Sequence, residues 1–172
     1  SEPIVTAVAS SAKLITAELL KTKKINVNKI YKFTETNPGV SLIGLLFNGT
    51  MHGGLAAHLE QKNYYEKLLK AKEINEKNGI VSDLISKEEF DKIKQEVEQL
   101  SKLEENIENY RLDIFRQLMA NGATLNLENE TGLTEVFFAN KPEYISLLKD
   151  HGANIFHENK EGQDLLYYSI VN

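Results

Sequence analysis

The sequence predicts an all-α protein, a short helical solenoid of about four irregular repeats, and three observations lead to that prediction. The turn NGATLN at 121–126 returns as HGANIF at 151–156. Apolar residues recur at i, i+3 and i+4 before each turn, the spacing of a helix with one buried face. A polar segment ending in glycine then leads into a new apolar run. Because one helix pair cannot bury its apolar face alone, repetition of the unit predicts stacked neighbours.

Composition narrows the functional classes before any motif is considered. The 172 residues suffice for one domain, 1–172, and their net charge of −5 is spread over interleaved acids and bases. That balance argues against a nucleic-acid partner, and the lack of a polybasic block argues against an anionic membrane. The chain has no Cys, which removes disulfides, thiolate nucleophiles and Cys-ligated zinc and fits a reducing compartment such as the cytoplasm. No apolar stretch approaches the ~20 residues of a membrane span, and we expect no signal peptide in SEPIVTAVASSAKLITAELL, which has no basic start.

Individual helices are predicted around the two turns. LDIFRQLMA at 112–120 precedes the first turn and EYISLLKD at 143–150 precedes the second. Gly122 and Gly152 stand where a helix usually stops, because glycine accepts a positive φ without steric cost. The runs LTEVFFA at 133–139 and QDLLYYSI at 163–170 are predicted to form the next helices.

The run from 112 to 170 resembles the ankyrin-repeat family, whose unit of about 33 residues is a β-turn, two antiparallel helices and a Gly-Ala turn. The residues that match the family pattern are Asn126, Gly132, Thr134, Ala139, Leu147, Leu148, Gly152 and Ala153, and Gly162 and Leu166 begin a truncated unit. Glu135 replaces the proline of the family motif and Phe137 replaces its histidine. The turns recur after 30 residues, so the loop around Pro142 is shorter than in the family.

The first half of the chain carries a weaker form of the same pattern. LLKTKKIN at 19–26 and LLKAKEIN at 68–75 are nearly identical, and each is predicted to be a helix end followed by a turn. We therefore expect units over 1–36, 37–78, 79–126 and 127–172, with insertions inside the enlarged ones. The glycine-rich stretch NGTMHGG at 48–54 is one candidate insertion, predicted to be an inter-helix turn, and the segment between Gly79 and Gly122 is a larger one.

A long charged helix is predicted over 86–110, inside the larger insertion. Ser86 and Glu89 form a capping-box pattern at its start. Its narrow apolar stripe consists of Phe90, Ile93, Val97, Leu100, Leu103 and Ile107. The stripe favours packing against the solenoid's side, and a projecting arm or partner-binding helix is the alternative.

No catalytic, cofactor or metal-binding pattern is found, so the chain is predicted not to be an enzyme. His52 and His58 are six residues apart, which does not place them on one helical face as H-E-x-x-H does. NGTMHGG lacks the Lys-Ser/Thr of a phosphate loop, and no G-x-S-x-G occurs. Glu88, Glu89 and Asp91 fit a helix N-terminus better than an acid/base pair.

The ankyrin resemblance implies a protein partner bound through the concave groove and the turn tips. The candidate partner-binding residues are Lys77, Asn78, Ile80, Glu130, Thr131, Leu133, Phe137, Lys160, Glu161, Gln163 and Tyr167. The alternative for the tip residues is a solvated turn, and for Phe137 and Tyr167 it is inter-repeat core. The apolar ending LLYYSIVN is expected to be covered by a partner, a following repeat or a second copy.

The leading functional interpretation is a non-catalytic protein-protein interaction module. The Lys-, Asn- and Ile-rich composition is typical of an AT-rich genome, such as that of a bacterium or an intracellular parasite. A bacterial effector domain acting in the host cytoplasm and a toxin-neutralising immunity protein are two specific versions. An enzyme or regulatory domain with scattered polar residues in the groove, and a structural fragment of a longer repeat protein, remain alternatives.

Overall fold

The computed structural model describes residues 2–48, 54–80 and 85–171, and the fold over these ranges is all-α, which confirms the predicted class. The helices are α1 (Pro3–Ala9), α2 (Lys13–Lys21), α3 (Leu42–Phe47), α4 (Gly54–Lys77), α5 (Lys87–Ala120), α6 (Pro142–Asp150) and α7 (Leu165–Val171), with a 3₁₀ turn at Glu135–Phe138. An antiparallel bridge joins Tyr31 and Val40. The chain forms two compact units, one of residues 1–50 and 110–172 and one of residues 51–109, and α5 contributes to both.

The first unit has an aliphatic and aromatic core. Its most deeply buried apolar side chains are Ile4, Val8, Leu42, Phe47, Ile114, Phe115, Leu118, Val136 and Leu148. Phe47 lies at the centre, with its ring centroid 5.5 Å from that of Phe115 and 4.7 Å from that of Tyr144. Distant parts of the chain therefore share one core, and truncating a ring of this size there would cost about 3–5 kcal/mol.

Four short elements of this unit, α1, α3, the 3₁₀ turn and α7, pack one against the next, and we call them the leading row. Helix α1 packs on α3, α3 packs on the 3₁₀ turn, and the 3₁₀ turn packs on α7. Helix α2 packs beside α1, and the last part of α5 packs beside α3 through Phe115 and Phe47. The 3₁₀ turn leads through Ala139–Lys141 directly into α6.

The repeated turns are connected to one another by asparagine side chains. We call each turn, together with the helices beside it, a layer. The Asn28 side chain donates to the Gly122 carbonyl at 3.0 Å and accepts from the Thr124 amide at 2.8 Å. Asn126 makes the same pair of contacts one layer on, to the Gly152 carbonyl at 3.2 Å and from the Asn154 amide at 2.7 Å. We call the turns at 22–28, 120–126 and 150–156 the turn ladder.

The glycine stops of α5 and α6 have the predicted conformation. Gly122 has φ of 90° and Gly152 has φ of 99°. After α5 the Ala123 amide donates to the Leu118 carbonyl at 3.0 Å, and after α6 the Ala153 amide donates to the Leu148 carbonyl at 2.9 Å. Both helices thus end in the backward hydrogen bonds of a Schellman motif, which require a residue in the left-handed region.

The second unit is a helical hairpin of α4 and the first part of α5. Lys62 on α4 contacts Glu104 on α5 at 2.6 Å, and Lys72 lies over the Phe90 ring at 4.7 Å, so the two helices run antiparallel. Phe90, Ile93, Val97 and Leu100 of the predicted stripe are half-buried, while Leu103 is exposed. Phe90 of the stripe lies beside Lys72 of α4. We did not predict α4 as a neighbour of α5, because α4 shows almost no amphipathic pattern in sequence.

The predicted helix over 86–110 begins as expected but does not end there. The Ser86 amide donates to the Glu89 carboxylate at 2.9 Å, and the Glu89 amide donates to Ser86 Oγ at 3.1 Å, which confirms the capping box. The helix then continues to Ala120, so LDIFRQLMA is its last part and not a separate helix. No Gly or Pro lies between 87 and 120, and helix-favouring residues carry the backbone across the boundary.

Two further sequence expectations are corrected. LTEVFFA forms only the 3₁₀ turn, because the Asn140 amide donates to the Phe47 carbonyl and Lys141 is extended before Pro142. LLKAKEIN does not contain a turn, since α4 continues to Lys77 and stops at Gly79, where φ is 68°. Most of NGTMHGG lies outside the described residues. No helix in the described ranges has both the length and the apolar character of a membrane crossing.

Candidate functional site

Three asparagines build the turn tips of the first unit. Asn129 accepts from the Thr131 and Leu133 amides at 3.0 and 2.9 Å, and Asn159 accepts from the Glu161 and Gln163 amides at 3.0 and 2.9 Å. Asn37 accepts from the Gly39 amide at 2.8 Å. Each side chain satisfies backbone donors of its own turn, which is why Asn is favoured at such positions.

Backbone hydrogen bonds hold the three tips side by side. The Glu130 amide donates to the Pro38 carbonyl at 3.2 Å, and the Lys160 amide donates to the Thr131 carbonyl at 3.0 Å. The Asn129 side chain also donates to the Gly39 carbonyl at 2.8 Å. The tips at 37–41, 129–133 and 159–163 therefore form one fixed surface.

A cavity of about 580 Å³ opens between the second and third tips, and we call it the tip pocket. It is lined by Pro38, Glu130, Thr131, Leu133, Asn159, Lys160, Glu161, Gln163, Tyr168 and Val171. All of the candidate residues at 130–133 and 160–163 lie on it. Carboxylate, ammonium, amide and hydroxyl groups meet there, so the pocket can hydrogen-bond a polar segment of either charge.

The remaining candidate residues lie elsewhere. Lys77, Asn78 and Ile80 lie at the end of α4 and just beyond it, in the second unit, and all are exposed. Leu133 lines the tip pocket, but its side chain is buried and offers little surface to a partner. Tyr167 is exposed on α7 and lines neither the tip pocket nor the apolar cavity formed by α7, α6 and the turn at 150–156.

Phe137 has a structural role in the first unit. Its ring meets that of Tyr168 edge-on at 5.4 Å and that of His157 at 6.3 Å, and it is half-buried. The ring therefore packs the 3₁₀ turn against α7. An edge-to-face aromatic pair of this kind contributes about 1 kcal/mol beyond burial of its area.

An acidic group lies buried between the second and third layers. Both oxygens of Glu135 accept from the Asn126 amide, at 3.0 and 2.9 Å. Burial raises the pKa of this carboxyl, while the Asn126 and Glu135 amides and nearby His157 act to lower it. His157 contacts the Gly132 carbonyl and the Glu128 carboxylate, both at 2.9 Å.

The buried acid lies outside the lining of the tip pocket. Neither Glu135 nor His157 lines that pocket. Glu135 accepts from the Asn126 amide, and His157 contacts the Gly132 carbonyl and the Glu128 carboxylate. Within the described ranges, no group of three His, Cys, Asp or Glu side chains could hold a metal ion. The Glu135 cluster thus serves the contact between layers.

A second cavity of about 690 Å³ is mostly apolar, and we call it the end groove. It is lined by Phe137, Ala139, Ile145, Ile155, Phe156, Asp164, Leu165, Leu166, Tyr168 and Ser169. Phe156 is 78% exposed and Leu166 is 70% exposed, both large values for apolar side chains at a cavity. An apolar surface of this kind is a typical contact site for another molecule.

Sequence reasoning missed Pro38, Asn159, Tyr168 and Val171 in the tip pocket and most of the end groove. A signal for the first tip was present, because NPGVS at 37–41 has its Asn where NETGL and NKEGQ have theirs. Nothing local in the sequence brings Val171 to the pocket, since that depends on how α7 packs on the 3₁₀ turn.

No model of a known protein family matches the sequence, and no curated protein matches it at a significant level.

Proposed function

We propose that the chain is a non-catalytic protein-binding module, an ankyrin-like helical solenoid that holds a partner segment in its tip pocket. The observation that supports this most is the shared lining of that pocket by the tip residues at 130–133 and 160–163. The turn ladder supports the solenoid, since Asn28 and Asn126 make the same pair of hydrogen bonds to the following turn. The leading row supports it as well, since its short elements pack one against the next.

The chemistry of the pocket favours a short extended segment of a protein as its ligand. Glu130 and Lys160 place opposite charges on neighbouring tips, and Asn159, Thr131 and Gln163 add neutral hydrogen-bonding groups. Backbone and side-chain groups of a peptide can pair with such a mixed lining. Glu130 also pairs with Lys32, which orients its carboxylate.

The proposal is tested with Glu130→Arg and Lys160→Glu. A partner is first captured on the immobilised chain from lysate and identified by mass spectrometry, and its affinity is then measured by calorimetry. Each variant should weaken binding about tenfold, because each reverses a charge at the contact, while Tm stays nearly constant.

The matched controls are Glu18→Arg and Lys149→Glu. Glu18 also sits in an exposed ion pair, with Lys21 at 2.6 Å, but it lies on α2 and lines none of the cavities described above. Lys149 is an exposed lysine on α6 outside the tip pocket. Unchanged affinity in the tip variants, or equal losses in the controls, would exclude the tip pocket as the binding site.

A further inference from the structure

Two asparagine-glycine pairs within the described ranges end helices in the same backbone geometry. Asn78–Gly79 follows α4 and Asn121–Gly122 follows α5, while a third pair, Asn48–Gly49, lies partly outside those ranges. The two glycines have positive φ values of 68° and 90°. Each glycine amide donates to the carbonyl three residues before it at 3.1 Å. Because the backbones match, a difference in reactivity between the pairs has to come from the side chains and their surroundings.

The Asn121 side chain is held at both of its polar atoms. Its Nδ2 donates to the Gln117 carbonyl at 2.8 Å, and its Oδ1 accepts from Lys23 Nζ at 3.1 Å. The turn around it is closed by two buried residues, since the Ala123 amide donates to the Leu118 carbonyl at 3.0 Å. Opening this helix end uncovers part of the core and is therefore costly.

The Asn78 side chain has none of these restraints. It is exposed, and within residues 2–48, 54–80 and 85–171 it makes no hydrogen bond. The turn around it is closed by the Ile80 amide, which donates to the Asn75 carbonyl at 2.9 Å. Ile80 is 54% exposed and Asn75 is only half-buried. The end of α4 can therefore open without uncovering a core.

An unrestrained asparagine before glycine reacts with its own backbone, because glycine has no Cβ to obstruct its amide nitrogen. Once that nitrogen has lost its proton to hydroxide, it attacks the carbonyl carbon of the asparagine side chain. The new C–N bond closes a succinimide ring. The bond to the side-chain nitrogen breaks, and that nitrogen takes a proton from water and leaves as ammonia. Water then opens the ring at one of its two carbonyls, which yields aspartate or isoaspartate.

We propose that Asn78–Gly79 is a site of spontaneous deamidation and that the fold protects Asn121–Gly122 from the same reaction. The exposed Asn78 side chain is free to turn towards the Gly79 nitrogen when the end of α4 opens. The two hydrogen bonds of Asn121 hold its side chain in place and oppose that turn. This site lies in the second unit and does not depend on the function proposed for the tip pocket.

Deamidation changes the charge and the geometry of this helix end. The product places a carboxylate two residues after Glu76, at the C-terminus of α4, where the helix dipole disfavours a negative charge. Isoaspartate also adds a methylene group to the main chain between residues 78 and 79, beside the hydrogen bonds that close the turn. The surface around Lys77 and Ile80 therefore changes as the protein ages.

The test is a time course of the full chain in mildly alkaline buffer. Peptide mapping by mass spectrometry measures the deamidated fraction at each asparagine, and labelling with a protein-isoaspartate methyltransferase detects isoaspartate. Asn78 should react at least about tenfold faster than Asn121 in the folded chain. In concentrated urea the two rates should converge, because the same dipeptide then has no restraint at either position. Equal rates in the folded chain, or a faster reaction at Asn121, would overturn the proposal.

Two variants separate the site from its protected counterpart. Lys23→Met removes the ammonium that holds Asn121 Oδ1, so it should raise the rate at Asn121 and leave the rate at Asn78 unchanged. Asn78→Gln should abolish the product at its position, because the longer side chain closes a six-membered ring far more slowly. Both side chains are exposed, so circular dichroism should show both variants folded. An unchanged rate at Asn121 in Lys23→Met would refute the protective role of that hydrogen bond.

Discussion

At the scale of single residues, Glu135 shows how one buried carboxylate connects two turns of the chain. Both of its oxygens accept from the Asn126 amide. The group is 2% exposed, and its burial disfavours the charged form. The carboxylate thus links the turn at 120–126 to the 3₁₀ turn, although removing its charge from water costs free energy.

Glu135→Gln is expected to make the fold more stable at pH 7. The folded-state pKa of Glu135 is raised, mainly by burial, so the protonated form favours folding. That contribution is fully present below the unfolded pKa and is lost as pH rises through the folded pKa. The variant's advantage in Tm over wild type should therefore be small near pH 4 and grow towards pH 7.

Thermal melts of both proteins from pH 4 to pH 8 measure this difference. Glu98→Gln serves as the control, because Glu98 is an exposed carboxylate paired with Lys102 at 3.2 Å. A lower Tm for Glu135→Gln at pH 7 would mean that the hydrogen bonds of the carboxylate outweigh its desolvation.

At the scale of elements, the tip turns and the helix ends use glycine for different reasons. Gly152 has φ of 99°, and a Cβ added there would meet nothing within 4 Å. Gly132 has φ of 80°, and a Cβ there would lie 2.8 Å from the Lys160 backbone nitrogen. Only at Gly132 does a side chain also push apart two neighbouring tips.

Gly152→Ala should lower the free energy of unfolding by about 1–2 kcal/mol, the cost of a left-handed L-residue. Gly132→Ala should cost about 1–3 kcal/mol more, because the tip at 159–163 must also shift. Urea unfolding curves for the two variants give both values. Equal losses would show that the tips can separate without cost.

The elements also show where local sequence patterns succeed. The capping box and the glycine stops were predictable, because each depends on residues within a few positions of one another. The length of α5 and the reduction of LTEVFFA to a 3₁₀ turn were not predictable. Helix α5 continues because no Gly or Pro interrupts it. The LTEVFFA segment stops early because the Asn140 amide donates to the Phe47 carbonyl, which is distant in sequence.

At the scale of the whole molecule, the hairpin is inserted into a unit whose two parts share one core. Residues 1–50 and 110–172 bury Phe47, Phe115 and Tyr144 together. Among residues 57–80 and 85–109, Ile107 is the only buried residue. Two helices alone cannot fully bury the apolar side chains between them. We therefore expect the hairpin to lose its fold when separated from the first unit, and the first unit to keep its fold without the hairpin.

Replacing residues 51–109 with a Gly/Ser linker of about ten residues should leave a cooperatively folded protein. Its circular dichroism should remain helical and its Tm should fall by no more than about 5 °C. The same linker inserted before Gly54 in the full chain controls for the linker itself. Loss of the cooperative melt in the deletion variant alone would show that the first unit needs the hairpin.

The helical class, the recurring turn and the position of the tip residues at 130–133 and 160–163 could be inferred from sequence, because they follow from periodicity and from glycine and asparagine at short range. Lys77, Asn78 and Ile80, expected at a third tip, lie in the second unit instead. The pairing of α5 with α4, the tip pocket and the end groove could not be inferred from sequence. These depend on contacts such as Asn28 with Thr124 and Lys62 with Glu104, between residues far apart in the chain. Local propensity sets which segments become helices, but only packing in three dimensions selects which of their faces meet and which stay open to a partner.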